Sequence, residues 1–257
     1  MDAVWQERKK QLGTRLLRAL YEQRLLMTWL RDKPSGWELM SGLWSPFYIT
    51  LRDIPARPEL FRLTVQAAAE LIRNEVPGAN KLVGLAMTGI PIGAAIGYET
   101  GMPVGYSRKL PNVRNLADLE YELDRYGSHR LVEGVYAAGD RIALVDDVTS
   151  SFESKEIAIK QLQYEMSARG VDGVAIEAVV VLVDRGRDVY QRAAAAGVRM
   201  VSLLSLVGDG AALLHGVATD QEMAVIRDYI NDPDSYQDSQ VRQRLAEEAH
   251  DRQTADS

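Results

Sequence analysis

The hydrophobic positions of this 257-residue chain follow two patterns that alternate along most of its length. Short apolar runs are each followed by a turn and then by a segment with apolar residues at helical spacing. The runs are "KLVGLAM", "RIALV", "VAIEAVVVLV" and "RMVSLLSL", and the helical segments include "PIGAAIGYETG", "SKEIAIKQLQYEMSARG" and "RDVYQRAAAAG". Apolar strands that alternate with helices indicate a parallel sheet with helices on both faces, so we predict an α/β fold.

The same pattern divides the chain into three parts. Residues 1–57 combine a helix around Val4–Leu30 with a Gly-, Ser- and aromatic-rich stretch that is typical of short strands joined by turns. Residues 58–231 hold the core, which begins with a helix after Pro58. Residues 232–257 are polar, and we expect at most one helix and a frayed end there.

One segment interrupts the alternation of strands and helices. Residues 110–130, "LPNVRNLADLEYELDRYGSHR", are charged and stand between a predicted strand at "VGYSRK" and the strand "RIALV". A long insertion at this place suits a mobile lid over a ligand site, and it equally suits a solvated surface insertion.

Composition narrows the class of partner. Hydrophobic residues make up 46% of the chain, which is enough for a packed core, and 36 acidic residues stand against 30 basic ones. With no basic block in an acidic chain, we expect no nucleic-acid partner. No apolar run approaches the ~20 residues that cross a bilayer, so we expect no membrane partner. The absence of cysteine fits a reducing, cytoplasmic location.

Two adjacent carboxylates are the strongest candidate for chemistry. Asp146 and Asp147 follow the apolar run "IALV", and ligands of open parallel sheets bind beyond the carboxyl ends of the strands. Neighbouring carboxylates suit the vicinal hydroxyls of a ribose, because each accepts hydrogen bonds from O–H donors. They also suit an Mg²⁺ ion, and Asp147 alone would suit the simpler role of capping the turn.

The order of motifs resembles one family. "LVDDVTSSFES" is similar to the phosphoribosyl diphosphate motif of type I phosphoribosyltransferases, and other segments narrow the resemblance to orotate phosphoribosyltransferases. These segments, in chain order, are "SGLWSPFYI", "GLAMTGIPIGAAI", "YSRK", "YGSHRLVEGVYAAGDRIALVDDV", "VVVLVDRGR" and "MVSLLSL". The resemblance covers roughly residues 41–214.

The resemblance implies a five-stranded parallel core with flanking helices, a small N-terminal hood, and a homodimer. It also implies that phosphoribosyl diphosphate binds with Mg²⁺, which reaches the site on the diphosphate rather than through protein ligands. By the same resemblance Asp146 and Asp147 hold the ribose. The other implied site residues are Thr149, Ser150, Ser151, Ser154, Thr88 and Gly89 for ribose and phosphates, Phe47, Tyr48 and Arg185 for the base, and Arg108 and Lys109 as catalytic cations. We expect the hood aromatics Trp37, Trp44 and Phe47 to be exposed and covered by a second copy.

The chain departs from this family where cations are concerned. Displacement of diphosphate requires positive charge around the leaving group, yet Met40 and Thr88 stand where the family has lysines. Alignment of the insertion on Gly127 also places Asp124 and Tyr126 where the catalytic-loop lysine and histidine stand. Arg108, Lys109 and Arg130 are the remaining candidates.

The phosphate turn departs as well. The family's small residues let backbone N–H groups surround a phosphate at a helix N-terminus, whereas this turn contains Phe152 and Glu153. Ser150 and Glu153 have the spacing of a capping box, and we expect the Glu153 carboxylate to take the place of the phosphate.

Two functions of different classes remain open. One is an orotate-type phosphoribosyltransferase that makes pyrimidine nucleotides by synthesis or salvage. The other is a binding or regulatory protein that keeps the fold and recognises a nucleoside or nucleotide without transferring phosphoribose.

Overall fold

The computed structural model describes residues 2–39, 42–123, 130–186, 188–207 and 215–255. The chain forms two compact units, of which the first contains residues 1–9 and 55–203 and the second contains residues 10–54 and 204–257. These units differ from the predicted three-part division, because the residues that follow 203 belong with the N-terminal hood rather than with the core.

The helices and strands follow one another in the order predicted for an α/β chain. Within the described ranges they are α1 (Ala3–Glu22), β1 (Leu26–Thr28), β2 (Trp37–Glu38), β3 (Trp44–Ser45), β4 (Phe47–Ile49), α2 (Pro58–Glu75), β5 (Lys81–Gly84), α3 (Gly89–Thr100), β6 (Val104–Ser107), α4 (Leu116–Leu123), β7 (Val132–Glu133), β8 (Arg141–Thr149), α5 (Glu153–Ala168), β9 (Ala175–Asp184), α6 (Val189–Ala195), β10 (Arg199–Ser205), α7 (Asp220–Asn231) and α8 (Ser239–Ala255). Short 3₁₀ helices cover Ile54–Ala56 and Ser235–Gln237.

The main sheet has six strands in the order β10-β9-β8-β5-β6-β7. Parallel pairing joins β6 to β5, β5 to β8 and β8 to β9. The predicted number of five strands is wrong, since β7 adds an antiparallel edge strand through the pairs Tyr106↔Glu133 and Ser107↔Val132. The chain that returns from the insertion runs back along β6, and pairing there satisfies its backbone polar groups.

The core of the first unit lies between the sheet and α5. Strands β5, β8 and β9 place continuous runs of buried residues in the sheet, as predicted for strands covered on both faces. Val83, Leu144, Val179 and Ile159 are almost completely buried in one cluster. Full burial of such side chains contributes about 1.5–3 kcal/mol each, and this burial fixes the sheet edge on which the candidate site depends.

The ends of the insertion 110–130 are held together at the sheet. The Arg108 N–H donates to the Leu131 carbonyl oxygen at 2.9 Å. Helix α5 holds both ends, because Gln161 Nε2 donates to the Arg108 carbonyl at 3.1 Å and Glu165 Oε2 accepts from the Leu131 N–H at 2.6 Å. Within the insertion Leu119 of α4 is buried in the core, so part of this segment is packed rather than solvated.

The second unit contains two small antiparallel ladders, β1–β4 and β2–β3. The prediction that its aromatic side chains Trp37, Trp44 and Phe47 are exposed is wrong. Phe47 is 1% exposed and meets the Tyr229 ring edge-on at 5.7 Å, Trp44 is 7% exposed, and the half-buried Trp37 stacks on Tyr48 at 6.2 Å. The same unit buries many aliphatic side chains, including Leu16, Leu17 and Leu20 of α1. The rings of Phe47 and Trp44 are therefore buried inside this unit instead of forming an exposed apolar surface.

None of the helices described is both long enough and apolar enough to cross a membrane.

Candidate functional site

The two aspartates lie inside β8 rather than after it. The strand continues to Thr149, with Asp146 opposite Val181 and Thr149 opposite Asp184 of β9. This corrects the predicted strand end at Val145. Both carboxylates still lie at the carboxyl end of the parallel sheet, where ligands bind.

Hydrogen bonds fix both carboxylates. Asp146 Oδ1 accepts from the Asp147 N–H at 2.9 Å, and Asp147 Oδ1 accepts from the Val148 N–H at 2.7 Å. The residues are only 8% and 9% exposed. Two carboxylates are therefore preorganised in a largely desolvated place, which is unfavourable unless a cation or a proton compensates them.

Lys155 of α5 is that cation. Its Nζ lies 2.8 Å from Asp146 Oδ2, donates to the Val148 carbonyl at 2.8 Å, and approaches Ser154 Oγ at 3.3 Å. The residue is 4% exposed, which is rare for lysine without a paired acid. The ion pair compensates Asp146, whereas Asp147 has no ion pair of its own within the described ranges.

Burial, and to a lesser extent the neighbouring charge of Asp146, raises the pKa of Asp147 from an ordinary value of 3.8 to about 6. The Val148 N–H and Lys155 oppose this rise. Asp147 therefore changes its charge within the range in which metabolic enzymes work.

The turn after β8 does not have the predicted capping box. Helix α5 begins at Glu153 with Phe152 as its N-cap, and no side chain in the described ranges caps it. Phe152 has φ +62° and its ring is 1% exposed, while Glu153 is exposed. The prediction that Glu153 closes a capping box and so takes the place of a phosphate is wrong, because burial of the Phe152 ring starts the helix two residues later than a Ser150 cap requires.

The other turn residues surround the start of α5. Ser150, Ser151 and Ser154 are exposed, and Arg192 of α6 donates to the Ser151 carbonyl while forming a double contact with Glu156 at 3.0 and 2.7 Å. Thr149 is buried, and its hydroxyl finds no hydrogen-bond partner within the described ranges. The turn thus presents hydroxyl groups and a helix N-terminus, which is a favourable place for an anion.

A second turn meets the aspartates from β5. A Cβ added to Gly89 would lie 2.2 Å from the Val145 carbonyl oxygen and 3.2 Å from the Cα of Asp146. This glycine brings the beginning of α3, with Thr88 as its N-cap, into backbone contact with β8. The structure therefore brings Thr88 and Gly89 together with the aspartate pair.

The predicted cations follow the neighbouring strand β6. Arg108 and Lys109 are exposed beyond the carboxyl end of this strand, and Ser107 Oγ accepts from the Ala86 N–H at 3.0 Å. Arg108 and Arg130 share Glu133 at 3.6 and 3.8 Å. The chain thus offers cations at this edge, although Glu133 already attracts two of them.

The predicted base-binding residues belong to different units. Arg185 follows β9, and its N–H donates to the Thr149 carbonyl at 3.0 Å in the first unit. Phe47 and Tyr48 belong to the second unit, in which the Phe47 ring is part of the core and Tyr48 stacks on Trp37. Their role at a base stays a prediction. Met40, Asp124 and Tyr126 lie outside the described residues.

Sequence reasoning missed Lys155, although the sequence contains its signal. Lys155, Ile159, Leu162 and Met166 share the buried face of α5 at helical spacing. A lysine in the first turn of an apolar helical face, eight residues after an aspartate pair, predicts an internal partner for one of the carboxylates.

Asp146 and Asp147 offer carboxylate oxygens that suit Mg²⁺, but they do not form a complete metal site by themselves. Across the described ranges no three side chains of His, Cys, Asp or Glu gather to hold a metal ion. Mg²⁺ commonly takes one or two carboxylates together with substrate phosphates and water. The donor set therefore fits an ion that arrives with a phosphorylated substrate.

Comparison of the sequence with known proteins finds relatives of one kind. No protein-family model matches the chain. The chain is 32% identical over 155 residues to the orotate phosphoribosyltransferase of Pyrobaculum aerophilum. The aligned residues cover 60% of this chain and 69% of that relative. The chain is 30% identical over 201 residues to the orotate phosphoribosyltransferase of Staphylothermus marinus, and the aligned residues cover 77% of this chain and 88% of that relative.

The fold agrees as well. The crystal structure of orotate phosphoribosyltransferase from Aeropyrum pernix matches 78% of this chain and 97% of that chain with a TM-score of 0.58 at 21% identity. The aspartate pair lies at the carboxyl edge of the sheet and is flanked by two turns that start helices. The chain shares its fold with a solved orotate phosphoribosyltransferase and is similar in sequence to such enzymes over most of their length. The chain belongs to the orotate phosphoribosyltransferase family.

Proposed function

We propose that this chain transfers phosphoribose from phosphoribosyl diphosphate to a pyrimidine-type base, with orotate as the first base to test. One observation carries the proposal: the Thr88–Gly89 turn, the Asp146–Asp147 pair and the 149–154 turn meet at one edge of the sheet. A diphosphate, a ribose diol and a 5'-phosphate are three adjacent parts of one substrate, and they require three adjacent subsites.

The roles of the residues follow from the charges of the reaction. The bond from C1' to the diphosphate oxygen breaks, a bond from C1' to a base nitrogen forms, and the electron pair leaves with the diphosphate. Asp147 and Asp146 orient the ribose by accepting from its hydroxyls. The serine-rich turn and the N-terminus of α5 hold the 5'-phosphate. Arg108 and Lys109 offset the charge that grows on the leaving group.

Magnesium is part of this proposal. The ion would be held by the substrate diphosphate, and it would supply a Lewis acid for the leaving group. All other steps depend on positioning and on charges supplied by the chain.

The test is formation of a nucleotide from orotate, phosphoribosyl diphosphate and Mg²⁺ by purified protein. We expect measurable transfer, and we expect the variant Asp147→Asn to lose most of it while remaining folded. Lys160→Met provides the control, because Lys160 is an exposed residue of α5. Absence of transfer with orotate, uracil and other pyrimidine bases would contradict the proposal.

A second candidate is nucleoside or nucleotide binding without transfer. It is supported by Thr88, which offers a hydroxyl where the diphosphate requires a cation, and by Arg108, which already faces Glu133. Calorimetric titration separates the two candidates. A transferase binds phosphoribosyl diphosphate with Mg²⁺ at micromolar concentration, whereas the second candidate binds a nucleoside more tightly.

Family membership also supports a cytoplasmic homodimer. The exposed rings of Tyr98, Tyr106 and Tyr121 in the first unit, rather than the aromatics of the hood, are the side chains that a partner could cover. Light scattering at micromolar concentration should give twice the mass of one chain, and a monomer would contradict the assembly.

A further inference from the structure

Lys155 combines three properties that point to a role beyond packing. It is buried in the first turn of α5, it forms an ion pair with Asp146, and its Nζ also meets the Val148 carbonyl and Ser154 Oγ. An ammonium group has three N–H donors, and all three have an acceptor here. Lys155 therefore has no donor left for a ligand, and any influence on a substrate passes through Asp146.

The ion pair makes the two carboxylates unequal. Both oxygens of Asp146 have a partner, namely the Asp147 N–H and Lys155. Asp147 uses Oδ1 for the Val148 N–H, and within the described ranges Oδ2 has no hydrogen-bond partner. Asp147 Oδ2 therefore keeps its full capacity for ribose hydroxyls, whereas each of the other three oxygens has one partner already and keeps one acceptor site.

We propose that Lys155 is a positioning residue that sets the charge of the ribose subsite: by neutralising Asp146 it leaves Asp147 as the single uncompensated carboxylate beside a highly anionic substrate. This inference rests on the proposed function for the identity of the substrate. Phosphoribosyl diphosphate carries several negative charges, and a second uncompensated carboxylate close to them would repel it. At an effective dielectric constant near 20 and a separation of roughly 7 Å, one such charge changes affinity by about tenfold or more.

The other charged residues described on the elements around this part of β8 lie elsewhere or carry negative charge. Of the elements packed on this part of β8, α3 has no charged residue before Glu99, and β5 has only Lys81, which pairs with Asp140 at the opposite end. Strand β9 has Glu177, paired with Arg141 at the far end, and Asp184 opposite Thr149. Among the residues that the structure describes, Lys155 pairs with Asp146 and its charge also acts on Asp147.

The first test needs no substrate. The carboxyl carbons of Asp146 and Asp147 are followed by NMR from pH 4 to pH 9 in the unmodified protein and in Lys155→Met, Lys155→Arg and Lys160→Met. We expect one carboxyl to titrate near pH 6 in the unmodified protein. Lys155→Met should raise this pKa by one unit or more, because two neighbouring carboxylates then share one proton, whereas Lys155→Arg and Lys160→Met should leave it within half a unit.

A purely structural role would lower the melting temperature of Lys155→Met without moving this titration, and that result would overturn the proposal. If Lys155→Met does not fold, the unmodified protein still provides a test. The Lys155 ammonium protons should exchange slowly with water and should remain bonded to a carboxylate from pH 5 to pH 9. Rapidly exchanging protons on a freely rotating ammonium group would overturn the proposal.

The second test measures affinity at pH 8. Lys155→Met should weaken binding of phosphoribosyl diphosphate about tenfold or more and binding of an uncharged nucleoside less than twofold, while Lys160→Met should change neither. If Lys155→Met weakens binding of phosphoribosyl diphosphate and of the nucleoside equally, Lys155 does not act through the charge of the ribose subsite, and the proposal is overturned. If the unmodified protein binds no phosphoribosyl diphosphate, the proposed function fails, and the carboxyl titration still decides the role of Lys155.

Discussion

Gly89 lies against the backbone of Val145 so closely that an added Cβ would come within 2.2 Å of the Val145 carbonyl oxygen. The atom that it meets is backbone within the central strand β8, which cannot swing aside as the end of a flexible side chain can. The absence of a side chain at residue 89 therefore determines how near the Thr88 turn comes to the aspartate pair.

We predict that Gly89→Ala moves the start of α3 away from β8, because neither backbone can yield without disturbing the sheet. The free energy of unfolding should fall by about 1–3 kcal/mol, as in other overpacked cores. Affinity for phosphoribosyl diphosphate should fall as well. Both are measured, by chemical denaturation and by calorimetry.

Gly101→Ala is the matched control at the other end of α3. A Cβ there meets nothing within 4 Å, but φ is +74°, so the cost is conformational and amounts to about 1 kcal/mol. Ligand affinity should stay unchanged in this variant. If Gly89→Ala loses no more stability and affinity than Gly101→Ala, the close contact does not control the site.

Phe152 holds a left-handed conformation because its ring is buried in the core. Phe152→Gly relieves about 1–2 kcal/mol of backbone strain but loses ~3–5 kcal/mol of burial and packing. We expect net destabilisation of about 1–4 kcal/mol in denaturant unfolding. Asn112→Gly is the control, since Asn112 has φ +64° and is exposed, and that variant should be neutral or slightly stabilised. Stabilisation by Phe152→Gly would show that the ring contributes little.

Asp147 should make stability fall as pH rises. Its pKa is raised in the folded protein from 3.8 to about 6, so between these values the folded state binds more protons than the unfolded state. The stability that the folded state gains by binding this proton is fully present below pH 3.8 and is lost as the pH rises through 6. The free energy of unfolding falls by about 3 kcal/mol over this range. Asp147→Asn should remove the loss and be more stable than the unmodified protein at pH 8. Unfolding curves at pH 5 and pH 8 measure the difference, with the exposed Asp172→Asn as control; equal pH dependence in all three proteins would contradict the prediction.

Arg192 should stabilise the phosphate turn from outside. It joins the Ser151 carbonyl to Glu156, and Arg192→Met removes both contacts. Because the side chain is 35% exposed, we expect a stability loss of only about 1 kcal/mol. The Michaelis constant for phosphoribosyl diphosphate should rise about three- to tenfold, since the turn loses its shape. Arg244→Met, which removes an exposed pair at 3.7 Å with Glu248, should leave both quantities unchanged, and an unaltered Michaelis constant in Arg192→Met would remove Arg192 from the site.

The strands of the main sheet were predictable because buried parallel strands appear as continuous apolar runs. Strand β7 was not, because it has only two residues and exists through its pairing with β6. The exposure of Trp44 and Phe47 was predicted wrongly for a similar reason. The local sequence contains turns and aromatics, but their burial depends on residues 229–242, nearly two hundred positions later.

The site divides in the same way. The order of motifs identified the aspartate pair and the two turns, since each lies next to a recognisable strand. The capping box matched in spacing but failed, because the ring of Phe152 has a place in the core, and that place sets the first residue of α5. A long-range contact thus overruled a local hydrogen-bond pattern, as tertiary packing commonly does with weak local preferences.

One helix, α5, contacts both the aspartate pair and the two ends of the insertion 110–130. Lys155 meets Asp146, Gln161 meets the Arg108 carbonyl, and Glu165 meets the Leu131 N–H, at positions that span about 15 Å of one helix. A rod of this kind transmits displacement without bending, whereas a series of loops would absorb it. A shift of α5 along its axis when a ligand reaches the aspartates would therefore also move its contacts with both ends of the insertion.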